Sequence, residues 1–272
     1  MITGVGGGLG RAIARAALAR GDRVAGTVRN AGAAQAFEAL APGRAFAFQM
    51  EVTDAAAVSA TVASVERQFG VIDVVVNNAG YGLVGAIEEA SLDEVRAQFE
   101  TNVIGPLAVL KAVLPAMRAR RGGRVVNISS VSGLATWAGT GVYCASKFAL
   151  VALTQTLAAE LAELGVAVIN VAPGGLRTDF AGRSQSVVAE KIADYDGLAR
   201  DAERILADHA GHESGDPDKA AAAILKAVDA EAPPRHLLLG EDALKYAGEG
   251  RDALWADVAA WRETTLSIAF EP

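Results

Sequence analysis

The chain is poor in the residues that build metal and disulfide frameworks: among 272 residues there is one cysteine, Cys144, and three histidines, His209, His212 and His236. A single thiol excludes an internal disulfide and any multi-cysteine metal site, and no metal is expected. His209 and His212 stand three apart in a polar stretch, a pattern that fits a solvated loop or helix end better than a ligand pair. Basic excess is also missing. A formal charge of −7 and a pI near 5.1 argue against a nucleic-acid surface, which carries a basic patch or stripe. No run of 18 or more uninterrupted apolar residues is present, so no membrane span is expected. No Ser/Pro-rich linker, charge block or short-period repeat divides the chain, and no signal-like segment precedes the first motif. A single domain over 1–272 in the cytoplasm is expected.

What is present is an alternation of strand-like and helix-like segments in a chain that is 51% hydrophobic, which points to an α/β fold with a doubly wound parallel sheet. Thr3 to Gly10 form a glycine-rich turn that opens the helical pattern Arg11 to Arg20. Such glycines let the backbone approach a pyrophosphate whose charge meets the helix N-terminus, although alone the turn fits a plain loop as well. Only Met1 and Ile2 precede it, so the first strand is expected to be a stub of about three residues. Asp22 to Val28 reads as the second strand. Gly26 to Asn30 hold no carboxylate to take a ribose 2′-hydroxyl, and Arg29 stands there instead. A guanidinium suits a 2′-phosphate, or is simply solvated at a strand end; the first reading prefers NADP(H), with NAD(H) possible.

Further strands are read over Arg44 to Met50, Val71 to Val76, Arg124 to Ser129, Val166 to Val171 and Arg235 to Leu239, about seven in all. Asn77-Asn78-Ala79-Gly80 ends the fourth, and Ser91 to Glu94 has the form of a capping box. Asn102 is an amide in an apolar stretch, either a structural hydrogen-bonder or part of a polar site. Ser130 sits at a strand tip, and Tyr143 and Lys147 lie one turn apart on one helix face. That helix, Val142 to Leu164, is apolar on more than one side, so a second protomer, in a homodimer or homotetramer, is expected against it. Leu176 to Gly215 is weakly patterned and reads as a substrate loop or lid, with Leu176, Phe180, Val187, Val188 and Ile192 available to cover a ligand. Glu241 to Ile268 reads as one or two C-terminal amphipathic helices, with Leu244, Leu254, Val258 and Trp261 inward, as extra core cover or a dimer contact.

Taken together, TGVGGGLG, NNAG, Asn102 in TNVIGP, NISSVSG, YCASK and PGGLRT resemble the single-domain short-chain dehydrogenase/reductase family over nearly the whole chain. GTVRN, VYCASKFAL and HLLLGEDAL are similar to its hydroxysteroid dehydrogenase-like branch. The resemblance implies a Rossmann-type fold and a catalytic tetrad of Asn102, Ser130, Tyr143 and Lys147. It implies cofactor contacts from Gly4, Gly8, Leu9, Gly10, Arg29, Glu51, Val52, Asn78, Ala79, Gly80, Tyr143, Lys147, Pro173, Gly174 and Thr178. Ser130, Leu134, Trp137, Tyr143, Leu176 and Phe180 are the candidate substrate contacts. Gly6 and Gly7 depart from the family's small hydroxyl residues, and Glu51 stands where an Asp is usual. In physical terms, a hydride acceptor needs a proton at its oxygen. Tyr143 would supply it, Lys147 would favour its ionised form in the reverse direction, Ser130 would donate to the substrate oxygen, and Asn102 could hold a water. The leading expectation is an NADPH-dependent oxidoreductase interconverting a medium-sized, mainly apolar ketone or aldehyde and its alcohol. An NAD-dependent alcohol dehydrogenase and a non-catalytic NADP(H)-sensing protein are the alternatives.

Overall fold

Strands that alternate with helices and are apolar along their length bury both faces in a parallel sheet. The computed structural model, which describes residues 1–270, builds such a sheet. In chain order the elements are α1 Gly8–Ala19, β1 Val24–Val28, α2 Ala31–Glu38, β2 Ala45–Gln49, α3 Ala55–Phe69, β3 Val74–Asn77, β4 Gly82–Val84 and α4 Leu92–Phe99. They continue with α5 Gly105–Ala119, β5 Gly123–Ile128, α6 Gly141–Glu160, β6 Val166–Pro173, α7 Phe180–Arg183, β7 Gln185–Val187, α8 Leu198–His209, α9 Pro217–Asp229, β8 His236–Leu239, α10 Glu241–Ala260 and α11 Arg262–Leu266.

β1 pairs with β2, and β3-β5-β6-β8 run side by side, all parallel. The two groups meet at Ile2, which bridges Gly26 on one side and Val76 on the other. Ile2 N donates to Ala25 O at 2.8 Å, Thr27 N to Ile2 O at 2.9 Å, and Val76 N to Met1 O at 2.9 Å. The expected stub is therefore real and shorter in pairing than three residues, with six strands and one bridging residue filling seven positions. The sheet separates two cores. Ile13 and Leu18 of α1 and Ile224 of α9 pack on one face with Phe37, while Val58 and Val62 of α3 and Val109, Val113 and Met117 of α5 pack on the other. By length and composition Leu92–Ala119 and Gly141–Glu160 could each cross a membrane, yet the buried faces of α5 and α6 cover this sheet.

Two expectations are corrected. Leu176 to Gly215, weakly patterned in sequence, carries structure of its own: it contains α7, β7 and α8, and β7 pairs in parallel with β4 through Gly82↔Gln185, Leu83↔Ser186 and Val84↔Val187. Both strands are three residues long and exist by pairing with each other, so no local pattern announces them. The C-terminal apolar residues do not point inward either. Leu244, Leu254, Val258 and Trp261 are 64, 62, 36 and 67% exposed: Leu244 faces away from the body on the docked part of α10, and the other three lie where α10 leaves the body after Gly250, beyond which every described residue is exposed.

Candidate active site

A helix start that receives a phosphate must bring backbone amides close to the ligand, which glycine permits. Gly4 and Gly8 have φ of +75° and +53°, where a side chain would be strained. A Cβ on Gly10 would fall 2.3 Å from Asn78 Nδ2 and 2.4 Å from Gly4 O, so the chain passes there only as glycine. Asn78 Nδ2 donates to Thr3 O at 2.9 Å and to Gly4 O at 3.2 Å. Thr3 Oγ1 in turn accepts from the Asn78 and Ala79 amides at 2.9 and 3.0 Å. The turn is thereby stitched to the tip of β3, with Leu9 buried behind it and Thr178 against Gly8. No side chain caps the start of α1 at Gly7. Arg29 is exposed at the end of β1, where Gln49 Nε2 holds its carbonyl at 3.0 Å; among the described residues nothing pairs with its guanidinium. Glu51 turns back on its own chain, accepting from Val52 N at 3.0 Å, and Val52 is buried. At the tip of β6, Gly175 N donates to Asp242 Oδ2 at 2.7 Å, while Gly174 lies so close to that carboxylate that a Cβ would fall 2.2 Å from it. These features leave an amide-rich helix start and the exposed Arg29 along one sheet edge, and they fit a nicotinamide dinucleotide.

The proton-handling groups gather at the same edge. Ser130 follows β5, its hydroxyl accepting from Ser132 N at 3.1 Å and hydrogen-bonding the Tyr143 phenol. Burial pushes the Tyr143 phenol up to about 12, against the Ser130 hydrogen bond, which lowers it, with Cys144 raising it slightly. Lys147, one turn on, is buried; its Nζ donates to Ile128 O at 3.0 Å and lies 5.8 Å from the centre of the Tyr143 ring. Burial lowers the Lys147 ammonium to about 8. Asn102 sits in a π-helical turn, Glu100–Ile104, a distortion frequent at functional sites. Its Nδ2 donates to Tyr81 O at 2.9 Å and Ser146 Oγ at 3.1 Å, and its Oδ1 accepts from Tyr81 N at 3.1 Å. The amide is thus engaged at both ends and fixes Tyr81, rather than presenting a free side chain to water. Gly80 lies between Asn102 and Lys147.

The family model for short chain dehydrogenase matches residues 1–188. The chain belongs to the short-chain dehydrogenase family. Over 271 residues it is 38% identical to Oxidoreductase BOA17 of Botryotinia fuckeliana, covering 98% of both chains. A short-chain dehydrogenase structure from Streptomyces avermitilis superposes with a TM-score of 0.92 at 40% identity, covering 98% of each. ElxO with NADP bound follows at TM-score 0.75 and 26% identity, covering 90% of this chain and 97% of that one. A short-chain dehydrogenase/reductase from Burkholderia phymatum in complex with NAD gives 0.77 at 25%, covering 100% and 96%.

In this short-chain dehydrogenase the candidate substrate residues divide. Ser130, Tyr143 and Phe180 come together, the Phe180 ring centre 6.0 Å from that of Tyr143. Trp137 instead packs edge-on against Tyr246 of α10 at 5.3 Å, the Leu134 carbonyl backs onto Gly250, and Leu176 packs on the core beside Gly215. Three contributors escape a reading of the sequence. Ser146 Oγ donates to Tyr143 O at 2.7 Å. Gln98, fully buried, donates to Tyr81 O at 2.9 Å and accepts from Leu83 N at 2.8 Å; its spacing of four from Asn102 is the signal that could have found it. Glu89 is a buried carboxylate that accepts from Ala86 N at 2.9 Å and Ile192 N at 2.8 Å and pairs with Arg200. With Glu94 accepting from Ala189 N at 3.0 Å and Glu88 from Tyr195, it fastens the 189–200 strap beside the site.

Proposed function

We propose that this short-chain dehydrogenase is an NADP(H)-preferring oxidoreductase that interconverts a ketone or aldehyde and its alcohol, working mainly as a reductase. The carrying observation is a phenol kept protonated by burial, hydrogen-bonded to Ser130 and set over a buried ammonium. When bound, the nicotinamide cofactor supplies a hydride to a carbonyl carbon. Tyr143 then gives its proton to the oxygen as negative charge develops there, the role of a general acid. Ser130 supports that oxygen with a second hydroxyl. Lys147, cationic at neutral pH and held by Ile128 O, stabilises the phenolate that Tyr143 becomes. Asn102 and Gln98 position Tyr81 and the strand after it, and Phe180 contributes an apolar side to the space next to the phenol.

Arg29 carries the cofactor preference. Relatives of similar likeness bind either NADP or NAD, whereas a free guanidinium at the end of β1 favours a 2′-phosphate. The four tetrad positions are filled, which disfavours a purely sensing role. Similarity to the hydroxysteroid dehydrogenase-like branch rests on GTVRN, VYCASKFAL and HLLLGEDAL, and it places bulky apolar carbonyls on the substrate panel. A reducing compartment such as the cytoplasm suits the buried free thiol of Cys144. The test is cofactor oxidation with NADPH or NADH over a panel of ketones and aldehydes. Arg29→Asp is expected to lower the NADPH/NADH ratio of kcat/KM by about tenfold or more, the scale of a charge-assisted contact turned repulsive; an unchanged ratio overturns the preference.

A further inference from the structure

We propose that Asp242 is a positioning residue for the cofactor side of the reaction: its carboxylate holds the turn Gly174-Gly175 in the shape that a nicotinamide cofactor meets. The inference rests on the activity proposed above. Gly175 N donates to Asp242 Oδ2 at 2.7 Å, and Asp242 Oδ1 accepts from Ala243 N at 2.9 Å, so both oxygens are engaged. Two separate pieces of backbone are shaped around this group. A Cβ on Gly174 would fall 2.2 Å from both carboxylate oxygens, and one on Gly240 would fall 2.3 Å from Oδ1. At these two positions only glycine leaves room, and Gly240 also has φ of +112°, where a side chain would be strained. An acidic residue in the first turn of a helix is ordinary, since it meets the positive end of the dipole, and Glu241 satisfies that condition as well. The two glycines and the bond to a distant strand tip single out Asp242.

The turn lies where hydride transfer needs a fixed backbone. β6 ends at Pro173, beside the tip of β5 that delivers Ser130, and Ser129 N donates to Val171 O at 2.8 Å across that pair. Farther along, Thr178 packs against the start of α1, where a Cβ on Gly8 would fall 3.6 Å from the threonine. The stretch 173–178 thus joins the two ends of the edge, and a dinucleotide reaching from α1 to Tyr143 runs beside it. Gly174 N donates to Leu239 O at 2.9 Å, the last rung toward β8; one residue on, the Asp242 carboxylate takes over the holding of the backbone. Its support is itself fixed. Ala243 is buried, Tyr246 packs edge-on against Trp137 at 5.3 Å, and Gly250 backs onto Leu134 O. Trp137 and Leu134 belong to the loop that follows Ser130, so one carboxylate ties the cofactor-side turn to the helix that rests on the serine loop.

The test uses the full chain carrying Asp242→Ala, with Asp242→Asn beside it. Asp242→Asn keeps the shape of the helix start and carries both readouts if Asp242→Ala does not fold. In the cofactor-free protein, hydrogen exchange at the Gly175 amide is expected to quicken in Asp242→Ala and less so in Asp242→Asn, while the amides of β5 keep the parent rate. The dissociation constant for NADPH, read from nicotinamide fluorescence, is expected to rise by about tenfold in Asp242→Ala, the scale of one hydrogen bond to a charged group, and by less in Asp242→Asn. At saturating NADPH the carbonyl KM is expected to stay at the parent value. A variant that merely loses folded protein lowers the apparent kcat and leaves the NADPH constant where it was. Unchanged Gly175 exchange in the variants, or faster exchange with the NADPH constant unchanged, overturns the proposal. A parent chain that protects Gly175 yet binds neither NADPH nor NADH overturns the proposed activity and the inference with it, and is told apart from the other results because it needs no variant.

Discussion

Burial acts in opposite directions on the two groups at the centre of the site, raising the Tyr143 phenol to about 12 and lowering the Lys147 ammonium to about 8. Each shift disfavours the charged form, so at neutral pH the phenol keeps its proton, as a general acid requires. Tyr143→Phe removes that proton without emptying the space and is expected to cut turnover by about 10² or more, with cofactor KM little changed. Lys147 is charged below about pH 8 and neutral above it. Since kcat/KM at limiting cofactor reports the free enzyme, it is expected to fall as pH rises through about 8; a profile flat to pH 9.5, or about that, contradicts the role given to Lys147. Tyr143, Lys147 and Ser130 are legible from the sequence because helix periodicity and strand ends fix where they meet. Glu89 is not legible, because a carboxylate in the run Glu88-Glu89 looks like a solvated surface until Ile192 and Arg200, more than a hundred residues away, are folded onto it.

At the scale of elements, the strap 189–200 is held by three glutamates from one short segment, and Glu89 is the buried one. Its carboxyl is held below the ordinary range, first by the Ile192 amide and also by the Ala86 amide and Arg200, against its burial. Glu89→Gln keeps the shape but removes the charge that Arg200 and two amides share. Hydrogen bonds to a charged group are worth about 1.5–3 kcal/mol, so KM for the carbonyl is expected to rise by about tenfold while cofactor KM stays within about twofold. Hydrogen exchange at the Ala189 and Ile192 amides should quicken as well. Unchanged exchange and an unchanged carbonyl KM would show that the strap is held elsewhere. The long parallel strands could be read from their apolar runs, since burial on both faces leaves no other composition. β4 and β7 could not, because three residues carry no period. The amphipathic pattern of α10 was legible too, but such a pattern says which side is apolar and not what covers it; hence Leu254, Val258 and Trp261, expected inward, lie exposed.

Across the whole molecule, the sheet gathers the glycine-rich turn, Arg29, the tips of β3, β5 and β6 and the start of α6 along one edge, the place where open α/β sheets bind ligands. A central strand reduced to Ile2 suffices because it is bonded from both sides, by Ala25 and Thr27 on one and by Thr3 N to Val76 O at 3.0 Å on the other. The proposed chemistry therefore rests on long-range placement that the motifs foretell, while the strap and Phe180, proposed to face the substrate, have partners far apart in sequence. The most direct test of this account is NADPH oxidation by the purified chain over a carbonyl panel, compared with Tyr143→Phe. Turnover that Tyr143→Phe reduces by about 10² or more, with NADPH binding retained in both proteins, is the predicted result. Tight NADPH binding with no turnover on any carbonyl, or a Tyr143→Phe enzyme as fast as the parent, would contradict it.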